Sequence, residues 1–109
     1  MEKRAHRYRL QLEHVAGPQA DTPLHEPLTL EFTNHDNIFS IIERQQGKGL
    51  FNDKNQEAEF AIGLKMFSEV MLKNRKHPLF EEFGEAFGAF MKKLKATPQV
   101  GTSGPENIL

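Results

Sequence analysis

Apolar and polar residues alternate through the first segment of the chain. Tyr8, Leu10 and Leu12 take the even positions between His6 and His14, with Arg7, Arg9, Gln11 and Glu13 at the odd ones. A period of two puts successive side chains on opposite faces, the pattern of a half-buried β-strand. A second alternation sets Leu28, Leu30 and Phe32 against Thr29, Glu31 and Thr33. Between the two runs lie Gly17, Pro18, Asp21, Pro23 and Pro27, residues that break pairing and favour turns, so the segment reads as a long hairpin loop. The two strands suit an antiparallel pair, with Arg7 and Arg9 able to meet Glu31 across the outer face.

The period then becomes helical. Ile38, Ile41 and Ile42 share one side of a helix that starts around Asn34-His35-Asp36, where Asn or Asp can cap it, and that ends near Gly47. Asp53 and Gln56 form a variant capping box for a second helix over residues 54–74, which presents Phe60, Leu64, Phe67 and Met71, widened by Ala61, Val70 and Leu72. A stripe this broad predicts a central helix. His77-Pro78 stops it and opens a third helix over 78–95, because proline suits a first helical position. There Phe80, Phe83, Phe87, Phe90 and Leu94 recur at steps of three and four, while Gly84 and Gly88 leave a patch without side chains beside the stripe. Glu81, Glu82 and Glu85 near its start and Lys92, Lys93 and Lys95 near its end match the helix dipole. Residues 96–109 have no periodicity and many breakers, which predicts a disordered tail after a single domain over 1–95.

Composition narrows the function classes. The 109 residues suffice for one modest core, and a net charge of -1 supplies no global field for nucleic acid or anionic lipid. With no cysteine there is no thiolate site or disulfide, and a reducing, cytoplasmic setting is the expectation. No apolar run approaches the ~20 residues that span a bilayer, so no membrane association is expected.

Chemistry is thinly represented. The five histidines show no metal-ligand spacing, and no catalytic, cofactor-binding or metal-binding residue is assigned. His6 and His14 flank the first strand and suit the rim of a core. His35 beside Asp36 has the makings of an oriented general base, although adjacent polar residues at a helix start more often cap it. Gly47-Lys48-Gly49 lacks the rest of a phosphate loop. Two basic groups, Lys73, Arg75 and Lys76 at one helix end and Lys92, Lys93 and Lys95 at another, form an alternative nucleic-acid patch, but cations at helix C-termini also answer the last carbonyls.

The segments His6-x-Tyr8-x-Leu10, Asn34-His35-Asp36-x-Ile38-Phe39, 63–73, Pro78-Leu79-Phe80 and 90–95 resemble a family of small bacterial proteins known only as domain of unknown function 3861, over about residues 3 to 95. The resemblance implies a compact α+β bacterial protein and carries over no activity, substrate or catalytic residue. Polar residues inside these segments, Asn34, His35, Asp36, Lys65, Glu69 and Lys73, together with Gly84 and Gly88, make up the candidate interaction surface.

The expectation is therefore an α+β fold of order ββααα, a two-stranded antiparallel hairpin whose inner face (Tyr8, Leu10, Leu12, Leu28, Leu30, Phe32) packs on a single layer of three helices. The leading functional reading is a non-catalytic module that binds a protein partner or itself through the third helix or the hairpin edge. Weak nucleic-acid binding through the basic helix ends is the alternative, and an enzyme using His35 and Asp36 comes third.

Overall fold

The structure, a computed structural model, describes residues 5–98. Two compact units divide at Asp36 and Asn37, a hairpin and a set of helices, giving an α+β chain. Of the expected disordered tail, residues 99–109 lie outside the described residues.

In the hairpin, β1 (His6–Leu12) pairs antiparallel with β2 (Leu28–Asn34), in a register that sets Tyr8 opposite Phe32, Leu10 opposite Leu30 and Leu12 opposite Leu28. The outer face carries the expected ion pairs. Glu31 accepts from Arg9 Nη2 at 2.8 Å and Arg7 Nη2 at 2.9 Å. The Arg9 hydrogen bonds, followed by that of Arg7 and its charge, hold the Glu31 carboxyl below its ordinary value. The apolar face is graded rather than uniformly covered. Tyr8, Leu10 and Phe32 are half-buried, whereas Leu12 and Leu28 beside the loop are more than half exposed, which corrects the expectation that all six face residues are packed.

In the helical unit, α1 (Ile38–Lys48) is capped by Asn37, whose side chain accepts from the amides of Phe39 and Ser40. The cap is thus neither Asn34 nor Asp36. Gly49 ends the helix with φ at 60°, in the left-handed region open to glycine. Asp53 caps α2 (Lys54–Lys73) by accepting from the amides of Asn55 and Gln56, as its position predicts. His77 Nδ1 accepts from the Leu79 amide, and Pro78 begins α3 (Pro78–Glu81).

A fourth helix, α4 (Phe83–Ala96), follows where one continuous third helix was expected. Glu82 between them keeps helical dihedrals, φ −75° and ψ −32°, so the chain goes on turning while its hydrogen-bond ladder is interrupted. Across the interruption Phe80, Phe83 and Phe87 all converge on the ring of Phe67, at centroid distances of 6.1, 6.0 and 6.1 Å. Farther along, Phe90 meets Phe60 at 6.3 Å, so α4 runs antiparallel to α2.

The α1–α2 junction is built on a buried carboxylate. Glu57 is 1% exposed; its Oε1 accepts from Gln45 Nε2 at 2.7 Å and its Oε2 from the Phe51 amide at 2.6 Å. One side chain of α2 therefore fixes α1, through buried Gln45, and the connecting turn. The buried apolar residues here are Ile38, Ala61 and Met71, with Phe60 and Leu64 half-buried and Phe67, Val70 and Leu72 exposed. The broad stripe of α2 is consequently only partly enclosed, because Glu57 and Ala61 take its innermost positions.

Replacing Glu57 by Gln is expected to set an amide N–H₂ against one of the two donors and to lower unfolding free energy by about 1–3 kcal/mol. Glu59→Gln, at an exposed position on the same helix, should change it by less than about 0.5 kcal/mol. Urea denaturation of both variants checks this, and equal stabilities would contradict the junction's role.

Candidate functional site

Three candidate residues meet where β2 ends. Asn34 is the last strand residue, 2% exposed, and its Oδ1 accepts from the Asp36 amide at 2.9 Å. An Asn side chain bonded two residues ahead mimics a backbone turn and redirects the chain. Tyr8 from β1 donates its hydroxyl to the Asp36 carbonyl at 2.9 Å, locking that turn to the neighbouring strand. Its ring lies 5.5 Å from Phe32 and 6.0 Å from His6, consistent with His6 at a rim. Asn34, expected on an interaction surface, is therefore inside, while His35 is exposed and Asp36 half-buried. Cavities of about 320, 470 and 840 Å³ open on the hairpin's Arg7–Glu31–Arg9 face, on α2 beside Phe51 and Phe60, and at the hairpin loop. None of the three is lined by His35 or Asp36.

Along α2, Lys65 and Glu69 stand one turn apart, both half-buried and both engaged by other groups. Lys73 is exposed at the helix end. On α4, Gly84 and Gly88 are exposed and one turn apart, and a Cβ added at either would meet no atom within 4 Å. Nothing in the described chain uses that gap. The adjacent stripe is covered only in part. Phe83 is 42% and Phe90 41% exposed, and no residue of α4 is buried. The candidate surface thus divides into a structural corner, a pair on α2 and an open face of α4.

The basic residues Lys73, Arg75, Lys76, Lys92, Lys93 and Lys95 are all exposed. Antiparallel packing sends them apart. Phe60 pairs with Phe90 near one end, so the Lys73 group lies at the other end of α2, about 20 Å away at 1.5 Å per residue. The two groups form separate knots.

Among the described residues no three His, Cys, Asp or Glu side chains are grouped to hold a metal ion. Two features escaped the sequence pattern. Glu57 looks like an exposed helix residue until its donors in α1 and the turn are known. His14 and His25 stack with ring centroids 5.2 Å apart, yet they sit in a loop whose course no periodicity gives.

A family model described as a domain of unknown function with a solved structure (DUF3861) matches residues 6–96. No curated protein matches. The chain is similar to a crystal structure of a protein of unknown function from Pectobacterium atrosepticum, with 39% identity and a TM-score of 0.72, over 84% of this chain and 98% of that one.

The Tyr8 tether yields a direct test. Tyr8→Phe keeps both ring contacts and removes the hydroxyl donor, so the protein is expected to lose about 0.5–1.5 kcal/mol of stability. Thermal denaturation measures it, and an unchanged midpoint would show that the Asp36 carbonyl finds water at no cost.

Proposed function

Because the chain belongs to the DUF3861 family, whose description supplies no activity, we propose from its own surface that it is a non-catalytic interaction module, pairing with a second copy of itself through α4. The observation that carries this reading is the incomplete cover of α4, an amphipathic helix of 14 residues with none buried. Apolar area left in water forgoes about 25 cal/mol per Å². Phe83 and Phe90 expose such area beside the gap at Gly84 and Gly88, where another backbone can approach closely.

Charge selects the occupant. Glu81, Glu82 and Glu85 sit at the N-terminal end of the α3–α4 segment, and Lys92, Lys93 and Lys95 sit at its C-terminal end. A second α4 laid antiparallel across Gly88 sets each acidic end against a basic one. A two-fold axis makes such a contact self-complementary and closed. It also gives the two lysine-rich and acidic ends a role that needs no nucleic acid.

Sedimentation equilibrium at high micromolar concentration is expected to give the dimer mass. The paired substitution Gly84→Leu/Gly88→Leu fills the gap and should weaken association at least about tenfold, the worth of about 1.4 kcal/mol, with helical circular dichroism retained. Glu85→Lys should weaken it as well, and Lys92→Glu added to that variant should restore it. A monomer at all concentrations would overturn self-pairing. Retention on heparin at low salt, lost steeply as salt rises, would instead favour phosphate contact by the basic knots.

A further inference from the structure

The hairpin loop is closed at three levels. Leu12 opposite Leu28 is the last strand pair. At the tip the Thr22 amide donates to the Gln19 carbonyl at 3.1 Å, and the Gln19 amide donates to Thr22 Oγ1 at 3.2 Å. Gly17 is needed beside this turn, since a Cβ there would lie 2.2 Å from Thr22 Cγ2. Between strand and tip, the His25 amide donates to His14 Nδ1 at 3.0 Å, and the two imidazoles stack with an interplanar angle of 23°.

A ring nitrogen accepts a hydrogen bond only while it carries no proton. The contact therefore requires neutral His14 with its proton on Nε2. Adding a proton turns Nδ1 into a donor that faces the His25 N–H, and it places positive charge against the stacked second imidazole. Both effects break the contact. The titratable groups around the pair are Glu13 and Glu26, which line the same cavity of about 840 Å³ as His14 and His25. Their carboxylates offer an imidazolium a counter-charge once it has left the His25 amide.

We propose that His14 and His25 form a proton-operated latch: neutral, they hold the hairpin loop closed, and protonated, they release it. The cavity's walls come from both sides of the loop, Leu12 to Ala16 on one and His25, Glu26 and Leu28 on the other. The latch therefore sets the width of that cavity, with Leu12, Val15 and Leu28 as its apolar lining. The latch lies wholly within the hairpin and is independent of α4 pairing.

Nitrogen NMR of the full ¹⁵N-labelled chain tests it. At about pH 8, where imidazoles are neutral, His14 should carry its proton on Nε2, and a coupling through the hydrogen bond should link the His25 amide to His14 Nδ1. At about pH 5, where they are charged, the coupling should vanish and the protection factor of the His25 amide should fall several-fold, up to roughly tenfold. His14→Asn supplies an oxygen that accepts the same N–H and does not titrate, so protection should persist across the range. His14→Ala should lose it at both pH values. A proton on His14 Nδ1 at pH 8, equal protection at both pH values in the unsubstituted chain, or the same acid loss in His14→Asn would each overturn the latch.

Discussion

The helical unit depends on one buried carboxylate. Glu57 enters from α2 and gives one oxygen to Gln45 of α1 and the other to the Phe51 amide in the connecting turn. Removing a carboxylate from water costs several kcal/mol unless donors replace the lost hydration. Here both oxygens are answered, and the geometry of those answers fixes the angle at which α1 returns to α2. Ile38, Ala61 and Met71 complete the interior of the unit. None of them is directional. A slide by one helical turn would keep apolar residues in contact with apolar residues, but it would strand the carboxylate.

The hairpin is organised by the same logic. Its most buried polar side chain, Asn34, bonds the Asp36 amide, and Tyr8 bonds the Asp36 carbonyl, so both peptide groups of that residue are held. Asn37, Asp53 and His77 likewise accept the first free amides of α1, α2 and α3. Polar side chains thus set the starts of α1, α2 and α3 and the turn after β2, whereas α4 begins without a side-chain cap. Aromatic rings fill the space between α2 and α4, where Phe67 gathers three phenylalanines at about the same distance. Edge-on ring pairs tolerate sliding and rotation better than hydrogen bonds do.

That division explains what the sequence made legible. The strands followed from a period of two, which needs only local information, and their outer ion pairs followed from the register. Asp53 was readable because Gln56 follows it at capping-box spacing, and Pro78 because proline suits a first helical position. Asn37 was not, because Asn34, Asp36 and Asn37 crowd one segment and only the backbone path decides which one caps. The break at Glu82 was hidden because Phe80 and Phe83 fit a continuous stripe, and the convergence on Phe67 is a tertiary event. Of the candidate surface, helical spacing alone puts Gly84 and Gly88 one turn apart on one face of α4, where both are exposed. Asn34 was misplaced, since a polar residue in a polar run gives no sign of burial. Glu57 and the His14–His25 contact depend on partners brought in by turns, which carry no period.

The balance between the two kinds of interaction bears on association. Among the described residues the two largest fully buried side chains are Glu57 and Asn34, both polar, while phenylalanines and leucines remain 40% or more exposed at Phe39, Phe67, Phe83, Phe90 and Leu79. Polar joints specify geometry but add little net free energy, because water bonds the same groups in the unfolded chain. Apolar burial supplies most of the drive to fold. A chain whose fully buried joints are polar and which leaves several phenylalanines exposed is specified more fully than it is driven. Covering α4 with a second copy adds apolar burial without disturbing any of those joints. Association and stability are then linked, since whatever binds the folded chain alone raises its stability with concentration. The surface that defines the proposed interface is also the one left partly exposed among the described residues.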